Sequence, residues 1–371
     1  MDRKVVITGM GVIAANGTGK RAFWDAVANG VSGVKPIQSF STAGYEVHVG
    51  AEIPSFKTDT TRNVDRSFQL LEYAVAEAVR DLPSGILDDP DECAQTGVVL
   101  GTSQGAILNA APLHRRFLKP QDAGTDDDRS RFHDYPFGRA SHWLADQMGL
   151  GGPRTAFSMA CVSSSMSVLY GADLIRRGRV RRMIAGGFEA FSSFIFTGFH
   201  SLLALDADLC RPFDAQRSGT VLGEGAGIVI LEDEQSAIDR GAHIYAEVIG
   251  AGCAGDAVHL TAPDRTGQGM ARAIHASLVQ AGLNDVRDIG YINAHGTGTL
   301  FNDAMECAAF QRVFGDYVSK VPISSLKPMF GHCLGAVGGI EVVASVMALL
   351  RGFAPPTLHH TTCPPEYLSL I

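Results

Sequence analysis

The stretch VVITGMGVIAANG, residues 5–17, decides the fold class of this chain. It opens with β-branched residues, which favour a buried strand, and then passes through a Gly-x-Gly step. A related pattern, AEVIGAGCAGD, occupies residues 246–256, and its spacing of about 240 residues is far too long for a solenoid. The repetition indicates two related halves, each opening with a strand.

Short apolar runs alternate with longer amphipathic segments along the whole chain. The predicted strands are KVVITGM, TGVVLG, RRMIAGGF, GIVILE, YAEVIGAG and IGYINAHG. The predicted helices are DRSFQLLEYAVAEAVRDL, SVLYGADLIRRGR, QGMARAIHASLVQAG and GGIEVVASVMALLRG. This alternation is typical of an α/β protein in which helices cover buried sheets. We place the boundary after EDEQSAIDRGAHI, which gives an N-terminal half at 1–245 and a C-terminal half at 246–371.

The composition is that of a globular chain, with 371 residues of which 46% are hydrophobic and 19% charged. Its net charge of −8 argues against general nucleic-acid binding. The apolar stretch GAVGGIEVVASVMALLRGF contains Glu341 and ends near Arg351, which predicts a buried helix and no membrane span. The first residues lack the long apolar segment of a signal peptide, so we expect a cytoplasmic protein.

The cysteines exclude several kinds of site. There are seven, spread from residue 93 to residue 363, and none lies in a C-x-x-C pair. No cluster of His and Cys has zinc spacing, so no metal is expected. An odd number of cysteines without a secretory signal fits a reducing compartment.

The GMGVIA segment at residues 9–14 matches the dinucleotide-binding fingerprint after a strand. That fingerprint needs a helix that begins within the motif, because the helix N-terminus meets the pyrophosphate. Here the turn formers of ANGTG follow, and the next helix, KRAFWDAVANG, begins too late. We interpret the motif as a turn at a strand end.

Cys161 lies in FSMACVSSSMS, residues 157–167, between a predicted strand and a predicted helix. The helix, from Val162 to Arg177, ends in basic residues, as the helix dipole favours. A thiol at a helix N-terminus has a lowered pKa and is a good nucleophile. A tight strand-to-helix turn is also how hydrolases present their serine. The alternative of a buried, unreactive cysteine stays open on this segment alone.

Two further segments place polar side chains beside glycine turns. In INAHGTGTLFNDAMECAAF, His295 follows a strand, and Asp303 has the position of a helix-capping residue. Glu306 follows one turn later and would point back toward the loop. In PISSLKPMFGHCLGAVGGIE, Lys327 and His332 lie around a second turn. A thiol with two histidines and a lysine is typical of covalent acyl chemistry, with a step beyond simple hydrolysis.

The chain resembles the β-ketoacyl-[acyl carrier protein] synthases of the I/II type, condensing enzymes of the thiolase superfamily. The resemblance runs from about Lys4 to Pro365 and depends on five stretches in the same order and spacing. These are VVITGMGV, ACVSSS, CRPFDAQRSGTVLGEGAGIVILE, NAHGTGTLFNDAMEC and SSLKPMFGHCLGAVGGIE. It implies a thiolase-like fold of two related halves in five αβαβα layers, and a dimer.

The resemblance also implies catalytic roles. Cys161 would take the acyl chain from acyl carrier protein as a thioester, and its backbone N–H would be one oxyanion donor. His295 and His332 would flank the malonyl thioester, promote loss of CO₂ and stabilise the enolate. Lys327 would order the histidines electrostatically, paired with Glu306. The enolate would then attack the acyl-enzyme in a decarboxylating Claisen condensation, without a metal or diffusible cofactor.

Substrate and partner contacts follow from the same resemblance. Thr297 and Thr299 would hydrogen-bond the phosphopantetheine arm, and Phe199 and Gln104 would line the acyl pocket. Gln104 departs from the usual small or aliphatic residue, which argues against a long saturated substrate. Acyl carrier protein is acidic, so a basic docking surface is expected, with ordinary solvated charge as the alternative. The candidates are Arg62, Arg66, Arg115, Arg116 and Lys119.

One departure concerns the end of the chain. Family members continue beyond APPTLHHTTCPPEY with a GFGG loop, which supplies a second oxyanion donor, and this sequence ends at Ile371. Loss of one such donor can cost ~10²–10³ in rate. The C-terminal half is therefore expected to be incomplete. The rival hypothesis is a non-catalytic chain-length-factor subunit of a ketosynthase heterodimer, although such subunits usually replace the cysteine. A degradative thiolase fits less well, because Cys333 is not in the frame of its second cysteine.

Overall fold

The computed structural model describes residues 3–118, 125, 132, 134–259 and 261–364. The strands are β1 (Val5–Ala14), β2 (Gly17–Thr18), β3 (Lys35–Pro36), β4 (Val49–Gly50), β5 (Thr96–Gly101), β6 (Arg154–Phe157), β7 (Arg182–Glu189), β8 (Gly225–Asp233), β9 (Ala246–Glu247), β10 (Ile292–Asn293) and β11 (Ile323–Ser324). The helices are α1 (Lys20–Ala28), α2 (Arg66–Val79), α3 (Pro90–Ala94), α4 (Ile107–Phe117), α5 (Arg139–Gln147), α6 (Ser163–Arg176), α7 (Ser193–Ser201), α8 (Glu234–Asp239), α9 (Gln268–Gln280), α10 (Leu300–Phe314), α11 (Lys327–Phe330) and α12 (Val337–Arg351).

A mixed sheet of seven strands forms the centre of the molecule. Its order is β2-β1-β8-β7-β5-β6, and β9 pairs with β1. Strand β5 runs parallel to β6 and β7, whereas β8 is antiparallel to both β7 and β1. Because β5, β6 and β7 are parallel, they end at one edge of the sheet, at Gly101, Phe157 and Glu189. The segments that leave this edge build the candidate site.

Helices and sheets alternate in five layers. One apolar core joins α2 and α5 to one face of the large sheet, and a second core joins α6 and α12 to the other face. The fourth layer is the parallel pair β10 and β11, which contacts α12 where Asn293 Nδ2 donates to the carbonyl of Glu341. Helices α9 and α10 cover this pair through Ile274, Phe310 and Ile292. The predicted α/β class and αβαβα order are confirmed, although the fourth layer is small.

The two halves repeat the same close glycine contact between the segment that opens the half and a helix. A Cβ on Gly11 would lie 1.9 Å from the carbonyl oxygen of Ala74 in α2, and a Cβ on Gly252 would lie 1.9 Å from that of Ala273 in α9. Only glycine allows backbones to approach this closely. The duplication predicted from the two Gly-x-Gly segments is therefore present in three dimensions.

The predicted elements are found, with two differences in extent. The strand predictions YAEVIGAG and IGYINAHG shrink to the two residues each of β9 and β10. Strand β1 continues to Ala14, so the GMGVIA motif lies within the strand and not in a turn at its end. Its glycines serve the contact with α2, and the motif opens no helix.

One helical stretch in the described part of the chain, Leu334–Arg351, passes a length and hydropathy test for a membrane span. Its apolar window is 61% buried within the protein, as expected for the predicted core helix. The boundary at residue 245 stays a prediction, since β9 follows it and still pairs with β1 of the first half.

Candidate active site

Cys161 lies on a tight turn between β6 and α6, as the sequence predicts. The residue before it, Ala160, has φ of +49°, a conformation that residues with a Cβ seldom adopt. Ser163 stabilises the turn, because its hydroxyl donates to the carbonyl of Ala160 at 2.6 Å and accepts from the Met159 N–H at 2.8 Å. Helix α6 begins at Ser163, two residues after the half-buried thiol.

His332 contacts the thiol directly. Its Nε2 lies 2.9 Å from Cys161 Sγ, and its Nδ1 accepts the N–H of Leu334 at 3.3 Å. A neutral imidazole carries one proton, so a ring that accepts at Nδ1 carries its hydrogen on Nε2. The N–H of His332 therefore points at the sulfur of Cys161.

His295 completes the reactive group. Its ring centroid lies 5.3 Å from that of His332, and the two rings are nearly perpendicular. The ligand atoms of Cys161, His295 and His332 all lie within 4.8 Å of one another. Cys161 and His332 are 171 residues apart in the sequence, and the fold brings both of them together with His295.

Lys327 is fully buried behind the histidines, and its partner differs from the expected one. Its Nζ donates to the backbone carbonyl of His295 and lies 2.7 Å from Glu341 Oε1. The predicted pairing of Lys327 with Glu306 is wrong. Glu341 projects from α12 toward the Lys327 ammonium, whereas the carboxylate of Glu306 accepts hydrogen bonds from the loop that contains His295.

Two buried carboxylates of α10 accept hydrogen bonds from the loop of residues 295–298. Glu306 accepts the N–H groups of His295 at 2.8 Å and Gly296 at 2.6 Å. Asp303 accepts the N–H groups of Phe213 at 2.8 Å and Gly298 at 3.2 Å. The interpretation of Asp303 as a helix cap is therefore wrong, because its carboxylate serves two neighbouring loops. Both side chains are completely buried.

Burial sets the protonation states of the reactive groups. Desolvation and the Lys327 ammonium together hold the pKa of His295 and of His332 well below the usual range, so both rings are neutral. Desolvation raises the pKa of the Cys161 thiol to about 11, against the lowering effect of Lys327. The expected lowering of the thiol pKa at the helix N-terminus is wrong in direction, because the loss of water outweighs the nearby positive charge.

Of the predicted substrate-binding residues, Phe199 contacts the reactive group directly. The hydroxyls of Thr297 and Thr299 are 2.9 Å apart and bond to each other. Phe199 stands edge-on to His332, with ring centroids 6.2 Å apart. Gln104 is buried, donates to the carbonyl of Ala190 at 3.3 Å and accepts from the hydroxyl of Ser192.

The predicted docking residues divide into different environments. Arg62 is exposed and lies 2.6 Å from Glu72. Arg66 makes a two-pronged, largely buried ion pair with Glu224, with distances of 3.0 and 2.7 Å. Arg66 is thus a structural residue and not a docking cation. Arg116 is half-buried on α4. The Arg115 side chain and Lys119 lie outside the described residues.

Sequence reasoning missed the roles of two buried carboxylates. Glu341 was visible only as a charge within an apolar helix, a costly placement that itself signals a buried partner. Glu189 ends β7, and its carboxylate accepts four hydrogen bonds near the site. Its signal was an acidic residue directly after the buried strand RRMIAGGF.

Models of known protein families match the sequence along nearly the whole chain. The model described as "Beta-ketoacyl synthase, N-terminal domain" matches residues 2–237, and the model of the C-terminal domain matches residues 245–361. The chain belongs to the β-ketoacyl synthase family. Its members include 3-oxoacyl-[acyl-carrier-protein] synthase 2 of Staphylococcus aureus (strain N315), which is 34% identical over 98% of this chain and 90% of the relative.

Other relatives extend the picture. Nodulation protein E of Rhizobium sp. (strain N33) is 37% identical over 99% of this chain and 91% of its own length. The ishigamide ketosynthase/chain length factor structure has a TM-score of 0.89 at 36% identity, covering 99% of this chain and 91% of that one. A type II PKS ketosynthase in complex with its acyl-carrier protein has a TM-score of 0.87 at 30% identity, with coverages of 99% and 91%. These likenesses confirm the thiolase-like ketosynthase fold.

Proposed function

We propose that this chain is a 3-oxoacyl-[acyl-carrier-protein] synthase in which Cys161 is the nucleophile. The observation that carries the proposal is the 2.9 Å contact between Cys161 Sγ and the N–H of His332, with His295 beside it. The S. aureus relative bears this activity in its name, and a ketosynthase neighbour is bound to its carrier protein. The proposal is supported by the presence in the sequence of all four residues expected of a condensing enzyme, Cys161, His295, Lys327 and His332.

The first step is acyl transfer. The sulfur of Cys161 attacks the carbonyl carbon of the acyl-carrier thioester, and the thiol proton leaves with the departing phosphopantetheine sulfur. A thiol with a pKa near 11 needs help to ionise, and the N–H of His332 stabilises the negative charge as it forms. The backbone N–H of Cys161 would bind the oxyanion.

The second step is condensation. A malonyl thioester loses CO₂, and its carbonyl oxygen becomes an enolate that neutral His295 and His332 stabilise by hydrogen bonds. The enolate carbon attacks the acyl group, the bond to Cys161 breaks, and the sulfur takes up one proton. Lys327 contributes at a distance, because its charge adds to the effect of burial in holding the pKa of both imidazoles low, so that each ring is neutral and keeps one N–H for the enolate.

The remaining roles belong to the same proposal. Thr297 and Thr299 would exchange their mutual hydrogen bond for the phosphopantetheine arm, while Phe199 and Gln104 would border the acyl chain. An acidic carrier protein would dock at Arg62 and the basic end of α4, in a homodimer or in a heterodimer with a chain-length-factor-like subunit. The reaction as written needs no metal or diffusible cofactor, and the protein would work in the cytoplasm.

Intact-mass measurement tests the nucleophile. The purified protein is mixed with carrier protein that bears an acyl thioester. One acyl adduct is expected on wild type and none on Cys161→Ala. Cys307→Ala is the matched control, because Cys307 is a buried cysteine of α10 outside the reactive group. A folded wild-type protein that stays unmodified while its heterodimer partner takes the acyl group would instead identify a chain-length-factor subunit.

A further inference from the structure

Glu189 is a buried carboxylate that the two reaction steps do not use. It is the last residue of β7 and is completely buried. Its Oε1 accepts the hydroxyl of Thr102 at 3.0 Å and the N–H of Gln104 at 3.1 Å. Its Oε2 accepts the N–H of Ser103 at 2.7 Å and that of Gly335 at 3.1 Å. Four donors on one buried carboxylate are far more than the geometry of a strand end requires.

The two segments that meet at Glu189 each lead to the reaction centre. Gly335 lies three residues after His332, in the turn Leu334–Ala336 that also supplies the N–H to the His332 ring. In the other segment, the Ser103 hydroxyl donates at 3.2 Å to the carbonyl of Ala160, the residue before Cys161. Glu189 thus connects the support of the histidine with the support of the thiol.

The close approach of these segments is a second, independent observation. A Cβ on Gly335 would lie 2.5 Å from the backbone N of Ser103 and 2.6 Å from the carbonyl carbon of Thr102. Two backbones in this contact leave donors that water cannot reach, and Glu189 supplies their acceptor. An unpaired donor there would carry the full cost of desolvation.

We propose that Glu189 is a positioning residue, whose carboxylate ties the Thr102–Gln104 loop to the turn after His332 and so fixes His332 against Cys161. The inference builds on the proposed function. It has its own readout, however, because the contact between His332 and the thiol is present without any carrier protein.

The hydrogen-bond partners make Glu189→Gln an informative change. Three of the four donors are backbone N–H groups, which cannot become acceptors, whereas the Thr102 hydroxyl can donate or accept. A glutamine must therefore turn its NH₂ group toward at least one backbone N–H, whichever way it is placed. The side-chain volume hardly changes, but the hydrogen bonds that tie the Thr102–Gln104 loop to the turn after His332 are weakened.

The rate of Cys161 alkylation by iodoacetamide at pH 8 separates positioning from charge. Burial raises the thiol pKa most, and of the nearby charged groups Lys327 lowers it whereas Glu341 and Glu189 raise it. Removing only the charge of Glu189 would lower the thiol pKa and speed alkylation. Losing the N–H of His332 from the sulfur would raise the pKa and slow alkylation, and a rise of one pKa unit is about tenfold in rate.

We therefore expect Glu189→Gln to be alkylated about tenfold more slowly than wild type, and Glu189→Asp, which keeps the charge but has a shorter reach, to fall between them. The matched control is Glu232→Gln, which removes the charge of an equally buried carboxylate. Glu232 pairs with Arg182 at the start of β7, the end of the strand far from Glu189, so the rate should stay unchanged. Each alkylation rate is normalised to the amount of reactive thiol that is titrated in the same folded protein.

A faster or unchanged rate in folded Glu189→Gln would overturn the proposal. If that variant does not fold, an unchanged rate in Glu189→Asp overturns it equally. In condensation assays, kcat should fall about tenfold or more while KM changes little, because a small misplacement of a reacting group acts on the chemical step. A wild-type chain that alkylates normally but forms no acyl adduct would refute the proposed function and leave this inference intact.

Discussion

Lys327 Nζ lies 2.7 Å from Glu341 Oε1, and both groups are enclosed between α11 and α12 directly behind the histidines. The ammonium is completely buried and the carboxylate side chain is 16% exposed. An ion pair of this kind is costly to break from one side, because the remaining charge stays buried without its partner. The pair also fixes the ammonium that, together with the larger effect of burial, lowers the pKa of His295 and His332.

Replacing Glu341 with alanine is expected to destabilise the protein by about 3 kcal/mol or more, since Lys327 would remain buried and uncompensated. The double variant Lys327→Met/Glu341→Ala is expected to lose less stability than the sum of the losses in Lys327→Met and Glu341→Ala. Urea unfolding of the four proteins in the cycle measures the difference. Strict additivity would show that the two groups do not interact.

His332 is expected to control the reactivity of Cys161. In His332→Ala the sulfur loses its N–H donor, so the thiol pKa rises further and alkylation at pH 8 slows by about tenfold. His275→Ala, an exposed histidine on α9, is the control and should react like wild type. Equal rates in the two variants would mean that the 2.9 Å contact does not stabilise the thiolate.

Much of the site could be predicted from sequence, because its reactive side chains stand in turns directly after predicted elements. Cys161 and His295 each follow a strand, and His332 follows Gly331 at the end of α11. The identities of the supporting carboxylates could not be predicted. Lys327 has two acidic candidates, Glu306 and Glu341, and the choice depends on how α10 and α12 are oriented in three dimensions.

The thiol pKa and the extent of the second sheet were also beyond sequence reasoning. A helix N-terminus lowers a thiol pKa, but the desolvation of Cys161 raises it more, and the depth of Cys161 follows from the packing of distant segments. Strand length in β9 and β10 depends on neighbouring strands and not on the apolar run itself. The duplication, by contrast, was legible because each half needs the same pair of glycines.

Acid should weaken the sheet through Glu232. Burial alone would raise its pKa, but hydrogen bonds from Arg240 and Arg182 outweigh burial and lower the pKa to about 2. A lowered pKa stabilises the fold above the unfolded pKa of 4.5, and this contribution disappears as the pH falls toward 2. A shift of this size corresponds to about 3 kcal/mol.

Urea unfolding of wild type and Glu232→Gln between pH 2 and pH 7 tests this expectation. The gap in unfolding free energy should be widest near neutral pH, narrow below about pH 5 and close at about pH 2. A gap that stays constant over the whole range would mean that the charge of Glu232 does not contribute.

Gln104 is expected to limit the acyl chain. Its side chain is held by Ser192 and the carbonyl of Ala190, so under the proposed function it would form a fixed polar wall of the acyl pocket. In Gln104→Ala the wall is removed, and longer acyl chains should be transferred to Cys161 relatively faster than in wild type. Competition between short and long acyl-carrier substrates, read by mass of the acyl-enzyme, measures this preference. An unchanged preference would place the chain elsewhere.

The repeated glycine contact predicts equal sensitivity in the two halves. In Gly11→Ala and Gly252→Ala the new Cβ would lie 1.9 Å from a helix carbonyl oxygen, a distance that forces α2 away from β1, or α9 away from the segment that contains Gly252. Both changes are expected to destabilise the protein by about 3 kcal/mol or more, or to prevent folding. Gly255→Ala is the control, because nothing lies within 4 Å of its Cβ position. Thermal unfolding of the three variants decides the point: a tolerated Gly252→Ala beside a damaging Gly11→Ala would show that α9 moves freely where α2 cannot.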